Sequence, residues 1–360
     1  MRRTLKAIIV AVALIIAGAV LAGCGLWGLN GQWDLLTGNN NRVATTGTLS
    51  GDFTNIDADV FWLDVELLPS PDGTCHYKSV IHKNMPCTVT VENGTLKIDQ
   101  PDNRKPHEQI GIVQGDVYLQ LYLPADTYES LTFRGRTSDL EVSDNFRFQN
   151  VTVENSTGDV LLQCQVEKQL NVTCSTGDVT ISNVNCDSLS VSTSTGDVAI
   201  SVVKGGDLSV STRTGDCRID YANMSGKLLL TSTTGGKFLN KVDCGSLNMT
   251  ATTGETRINN VYVSADAQLT SGAGDWTLYN LVVTGDANME SSTGDWDLDN
   301  CDAANIRIET SSGDVEGTLR SEKIFFADSN TGDIEVPRTT SGGTCQITTT
   351  TGDIEIDIVP

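Results

Sequence analysis

The 360-residue sequence predicts an all-β fold, a parallel β-solenoid built from rungs of 19–20 residues, and three observations carry that prediction. First, a glycine recurs at positions 158, 177, 196, 215, 235, 254, 274, 294, 313, 332 and 352, usually within Ser/Thr-Thr-Gly-Asp. Second, apolar columns keep step with it. Five residues before each glycine stand Val153, Val172, Val191, Val210, Leu230, Met249, Leu269, Met289, Ile308, Ala327 and Ile347. Four residues after it comes another column, from Leu162 and Ile181 to Val336 and Ile356, broken only by Gly317. Third, polar residues alternate with these, and Val, Ile and Thr dominate. Period two on both sides of a turn predicts two short strands per rung, each with one face inward. So small a unit cannot bury its own apolar face, and stacking supplies both the core and the backbone partners. Eleven clear rungs at about 4.8 Å give a rod roughly 50 Å long.

The corner follows from backbone sterics. Reversal between strands needs a positive φ, which glycine adopts without penalty. Thr and Asp flank it because their oxygens bond nearby amides in ST- and Asx-turns. Runs such as Thr193-Ser194-Thr195 and Thr348-Thr349-Thr350-Thr351 stack hydroxyl on hydroxyl between rungs.

Residues 1–23 read as a lipoprotein signal peptide. Arg2, Arg3 and Lys6 form its basic region, Ala7 to Val20 is uninterruptedly apolar, and Leu21-Ala22-Gly23 precedes Cys24. This resembles the lipobox of bacterial lipoproteins, in which the cysteine thiol takes a diacylglycerol and joins palmitate-like chains to the mature N-terminus. An uncleaved anchor is the other reading, although the stretch is at the short limit for a span. Residues 24–44, with Gly25, Gly28, Gly31 and Gly38, read as a flexible tether. Residues 45–136 read as an irregular β-rich region that caps the solenoid, with an excursion at 69–88. Gly94-Thr95-Leu96-Lys97-Ile98 and Gly115-Asp116-Val117-Tyr118-Leu119 keep the apolar spacing there, and Ser138-Asp139 begins the repeats of residues 137–360. The last rung, Gly352 to Ile358, reads as an open end blunted by Glu355 and Asp357, which leaves a monomer or an end-to-end dimer.

Removing Arg2, Arg3 and Lys6 takes the formal charge from −22 to −25, which argues against nucleic acid as a partner. Among ten cysteines, Cys75 and Cys87 share a loop-rich segment and form the candidate disulfide. Zinc with His76 and His82 is the alternative there, without a standard ligand spacing. The seven repeat cysteines read as small buried hydrophobes.

The repeated Ser-Thr-Gly-Asp-Val, the segment Val117-Tyr118-Leu119-Gln120-Leu121-Tyr122-Leu123-Pro124 and the N-terminal anchor together resemble the DUF4097 β-strand-repeat family, whose members carry the label "putative adhesin". The resemblance spans roughly residues 45 to 360 and implies a solenoid outside a bacterial membrane, with no catalytic residues to carry over.

Two constellations bear on chemistry. Asp159, Asp178, Asp197, Asp216, Asp275, Asp295, Asp314, Asp333 and Asp353 form a carboxylate column, interrupted by Gly236 and Glu255. It reads either as a ridge for a hard cation such as calcium or as turn chemistry in which each Asp shapes its own corner. Trp276 and Trp296 share a column, two after glycine, on adjacent rungs. They read either as core or, because Lys237 and Thr256 stand in the same column, as a sugar platform where the column opens to solvent. Near-identical environments for every Asp disfavour catalysis, which needs one asymmetric acid–base pair. No cofactor is expected. The sequence reading is a non-catalytic, membrane-tethered, extracytoplasmic binding or structural module whose partner is an envelope glycan or surface protein. Its alternatives are a polysaccharide-acting enzyme of the envelope, or an envelope-stress accessory protein acting through membrane partners.

Overall fold

The computed structural model describes residues 42–104 and 117–359. Among them every regular element is a strand, wound into one continuous sheet, and no helix is long and apolar enough to cross a membrane. The solenoid predicted from the repeat is present. Strands Val179–Thr195 and Val198–Thr214 lie parallel along their whole length, Val179 beside Val198 and Thr195 beside Thr214.

Each rung has three sides rather than the two that the sequence suggests. Along Val179–Thr195 the buried residues are Val179, Ile181, Val184, Cys186, Leu189, Val191 and Thr193. Alternation by two slips after Ile181 and again after Cys186, and each slip is a corner. The third corner is the glycine. The extra side carries only two inward residues, as in Val242 and Cys244 or Val261 and Val263, too short a stretch to announce its own period.

The glycine does more at its corner than reverse the chain. Gly196 has φ +133°, and a Cβ added there would lie 2.0 Å from the carbonyl oxygen of Gly177 in the rung beneath. Gly177 stands in the same relation to Gly158, at 2.1 Å. Both the dihedral and the stacking distance therefore require a residue without a side chain.

Both ends depart from sequence order. Asn55–Val60 pairs with Thr95–Gln100 on one side and with Thr127–Thr137 on the other, so the first rung in sequence stands second in space. Antiparallel strands then close this end: His76–His82 against Tyr118–Leu123, Arg42–Thr48 against His76–His82, and Thr88–Glu92 against Thr95–Gln100. Arg42–Thr48 begins inside the segment read as tether. Gly94 turns a hairpin with Asn93, both at positive φ, and is not a rung corner. Gly115, Asp116 and the N-terminal signal lie outside the described residues.

At the other end, Gly343–Thr351 inserts between Asn305–Ser312 and Lys323–Thr331, and Ile354–Ile358 inserts between Val315–Leu319 and Ile334–Glu335. The open edge expected at Gly352 to Ile358 is thus corrected. Ile354 is 1% exposed, whereas Ile334 of the same column is 45% exposed. Repeat spacing alone cannot tell whether a rung stacks above or below its predecessor, because both orders preserve every column. The edge open to end-to-end association is Lys323–Thr331.

Gly196→Ala should cost at least about 3 kcal/mol in a urea titration, since it combines a disfavoured dihedral with a backbone clash. A change of Thr180 to Ala, on the outer surface, should move the midpoint hardly at all.

Candidate functional site

The acidic column is a hydrogen-bonded ladder. The backbone N–H of Asp159 donates to Oδ1 of Asp139 at 2.7 Å, Asp178 to Asp159 at 2.8 Å, Asp197 to Asp178 at 2.8 Å and Asp216 to Asp197 at 2.7 Å. The N–H of Gly236 closes this run on Asp216 at 2.7 Å. A second run links Asp275 to Asp295, Asp314, Asp353 and Asp333, with distances of 2.7–3.1 Å. The bonds run between rungs, which corrects the expectation that each Asp shapes its own corner. Parallel register sets each carboxylate against the next rung's N–H, so one oxygen of every rung-to-rung pair is committed to backbone. Among the described residues no group of three or more His, Cys, Asp and Glu has a metal-holding arrangement. The corner eleven or twelve residues after the glycine repeats the device, with the Lys227 N–H donating to Asp207 at 2.8 Å and the Asp286 N–H to Asp266 at 2.9 Å. Sequence reasoning missed it because Asp recurs there only irregularly.

Trp276 and Trp296 do not form a surface platform. Both are fully buried, stacked at 4.8 Å between centroids and 12° between planes. Each indole N–H donates to an inward serine, Ser271 or Ser291, at 2.9 Å. The column stays closed at Lys237 and Thr256 as well, neither of which has any solvent exposure. Lys237 Nζ donates to the carbonyls of Gly235, Thr253 and Gly254 at 2.9, 3.0 and 3.1 Å. A polar tip served by corner carbonyls lets a lysine occupy a core position. Burial lowers its pKa, and Asp216 opposes the shift.

Cys75 and Cys87 are free thiols, contrary to the expected disulfide. Strand His76–His82 intervenes, seven residues at about 3.3 Å each, and carries the two cysteines to opposite ends of the cap, whereas a disulfide needs Cα atoms within about 7 Å. Burial, then Asp99, pushes the Cys87 thiol up to about 12. The same strand separates His76 from His82. His76 stacks on Tyr122 at 4.7 Å, and His82 is buried and accepts from the Asn84 N–H at 3.2 Å, so the zinc alternative finds no common centre. The seven repeat cysteines are buried. Cys24 and His107 lie outside the described residues.

The irregular feature is the corner six residues after the glycine, which seven rungs share. Asn183, Val202, Tyr221, Lys241, Asn260, Asn280 and Asn300 all take positive φ, between 53° and 61°. Asn tolerates this region; Val, Tyr and Lys do so at a steric cost. Four asparagines at a fixed offset were the available signal, and the three exceptions hid it.

The DUF4097 family model, described as Toastrack, matches residues 53–236 and 238–360. The chain belongs to the Toastrack DUF4097 family. Curated proteins give no match. Solved structures with similarity include a "Putative lipid binding protein" from Parabacteroides distasonis, 14% identical, covering 87% of this chain and 98% of that one with a TM-score of 0.35. Another is a "putative adhesin" from Bacteroides fragilis, 13% identical, covering 88% and 97% with a TM-score of 0.29. A third is a "putative adhesin" from Parabacteroides merdae, 15% identical, covering 78% and 97% with a TM-score of 0.32.

Two outcomes test these assignments. Asp197→Asn keeps an acceptor oxygen for the Asp216 N–H and should lose under about 1 kcal/mol, whereas Asp197→Ala should lose about 1–2 kcal/mol; calcium should leave the melting midpoint of both and of wild type unchanged. For Lys237, a folded pKa below the ordinary 10.5 means the unfolded chain holds the proton more tightly. Stability should therefore rise with pH from the folded pKa up to 10.5, and Lys237→Thr should flatten that slope in pH-dependent denaturation.

Proposed function

We propose that this protein is a lipid-anchored, extracytoplasmic, non-catalytic module whose solenoid presents a binding surface at the cell envelope. The observation that carries the reading is the fate of the repeated carboxylates. The residues that most resemble an active-site motif are engaged by backbone N–H groups of the neighbouring rung, and a group spent in this way positions strands instead of moving protons. The signal-peptide pattern ending at Cys24 supplies the anchor. About fourteen stacked rungs at 4.8 Å then make a rod roughly 65 Å long, whose outer faces are the surface on offer. The proposed partner is an envelope polymer.

Two measurements test this. An alkyne-palmitate analogue should label the wild-type protein in cells and leave Cys24→Ser unlabelled; equal labelling of the two would remove the anchor. Incubation with envelope polysaccharides should give retention without turnover. Release of reducing ends would move the assignment to an enzyme.

A further inference from the structure

Three departures from the repeat fall on one side of the rod, over adjacent rungs. The outward position three residues after the corner glycine is Thr180 and Ala199, then Arg218, Phe238 and Arg257, then Thr277, in continuous register. The Arg218 guanidinium lies 5.2 Å from the Phe238 ring centroid. The Phe238 ring covers Gly236, where a Cβ would come within 2.6 Å of it. An aspartate at Gly236 would push the Phe238 ring out of this position, and its absence from the acidic ladder also removes a negative charge.

The adjoining edge shows the second departure. Val202, Tyr221 and Lys241 occupy the left-handed corner that asparagine fills elsewhere. Val202 is 55% and Tyr221 53% exposed, so core packing does not compensate the backbone strain. Lys241 Nζ stands 4.8 Å over the Tyr221 ring and donates to its hydroxyl at 3.3 Å. Strained, exposed, bulky residues on three consecutive rungs mark a surface kept for contact.

Charge is the third departure. In a chain of formal charge −22, Arg218, Arg257 and Lys241 converge on this side and its edge. The carboxylates facing them are Asp220, 3.7 Å from Arg218, and Glu255, 2.6 Å from Arg257, and both arginines remain more than half exposed. Asn240, held by Asp220 at 2.9 Å, and Asn259 lie in the next outward column.

Resting on the reading of the protein as a binding module, we propose that the side formed by Arg218, Phe238 and Arg257, with the edge Val202–Tyr221–Lys241, binds an acidic glycan. Aromatic faces receive the apolar faces of sugar rings, guanidinium groups pair with carboxylates in a planar, two-point fashion, and the asparagines bond hydroxyls. The face is mid-rod and flanked along the rod by acidic ladders, which disfavours a flat anionic membrane as its partner.

The test uses the full mature chain and polygalacturonate as the acidic probe, with dextran as the neutral one. Val202→Asn, Tyr221→Asn and Lys241→Asn combined should melt at or above the wild-type midpoint, because asparagine suits that corner, and should lose at least tenfold in polygalacturonate affinity. Arg218→Gln with Phe238→Thr should lose as much. If the wild type binds polygalacturonate and both folded variants bind it equally well, this face is wrong and the binding-module reading stands. If dextran binds as tightly as polygalacturonate, the acidic specificity is wrong. Binding to phosphatidylglycerol vesicles in place of polygalacturonate would overturn the glycan assignment. A wild type that retains no polymer would overturn both readings.

Discussion

The approach of one corner glycine to the next is the contact on which the rest of the molecule depends. The Cα of Gly196 sits over the Gly177 carbonyl, and the same relation repeats to Gly274 over Gly254 and Gly294 over Gly274. Once two corners stack that closely, the strands leaving them are fixed in register. Register then places apolar residue over apolar residue in each column and aspartate over aspartate at the corner. The hydrophobic core is continuous from Ile56 to Ile356 because no rung is free to slip.

The same economy governs the polar groups. A solenoid corner gathers backbone amides that lack partners within their own rung, and each must find one in the next rung or in water. Carboxylates answer the N–H groups from outside. Inward side chains answer carbonyls from within: Asn155 donates to Gly158, Thr349 to Gly313, Ser329 to Gly352 and Lys237 to three carbonyls at once. The serines that precede the tryptophans accept indole N–H bonds instead. Chemically expressive side chains are thus consumed by architecture.

The fold was legible because each rung repeats the same constraint many times, and a column of Val179, Val198 and Ile354 is visible without coordinates. The third side was not legible because two inward residues make no period. Stacking order at the ends was not legible because Gly332 and Gly352 satisfy the columns in either order. The burial of Trp276 and Trp296 could be weighed only against what lies between rungs: Lys237 looks like a gap in the apolar column until its ammonium is seen beneath three carbonyls. The acidic column was visible in full, but its partners were not, since a bond from one rung to the next spans 19 or 20 residues of sequence.

The interleaving at the ends has a kinetic meaning. In a simply stacked solenoid the terminal turn of chain is held by a single neighbour, and unravelling can begin by peeling it away. Here the chain-terminal strands Gly343–Thr351 and Ile354–Ile358 each lie between two others. The first rung, Asn55–Val60 and Asp64–Pro69, is clasped likewise. Fraying of either terminal rung must therefore open two ladders at once, or first dislodge an outer turn that is tethered to the chain at both of its ends. The rod is latched from within, so the ends of the repeat array are held as firmly as its middle.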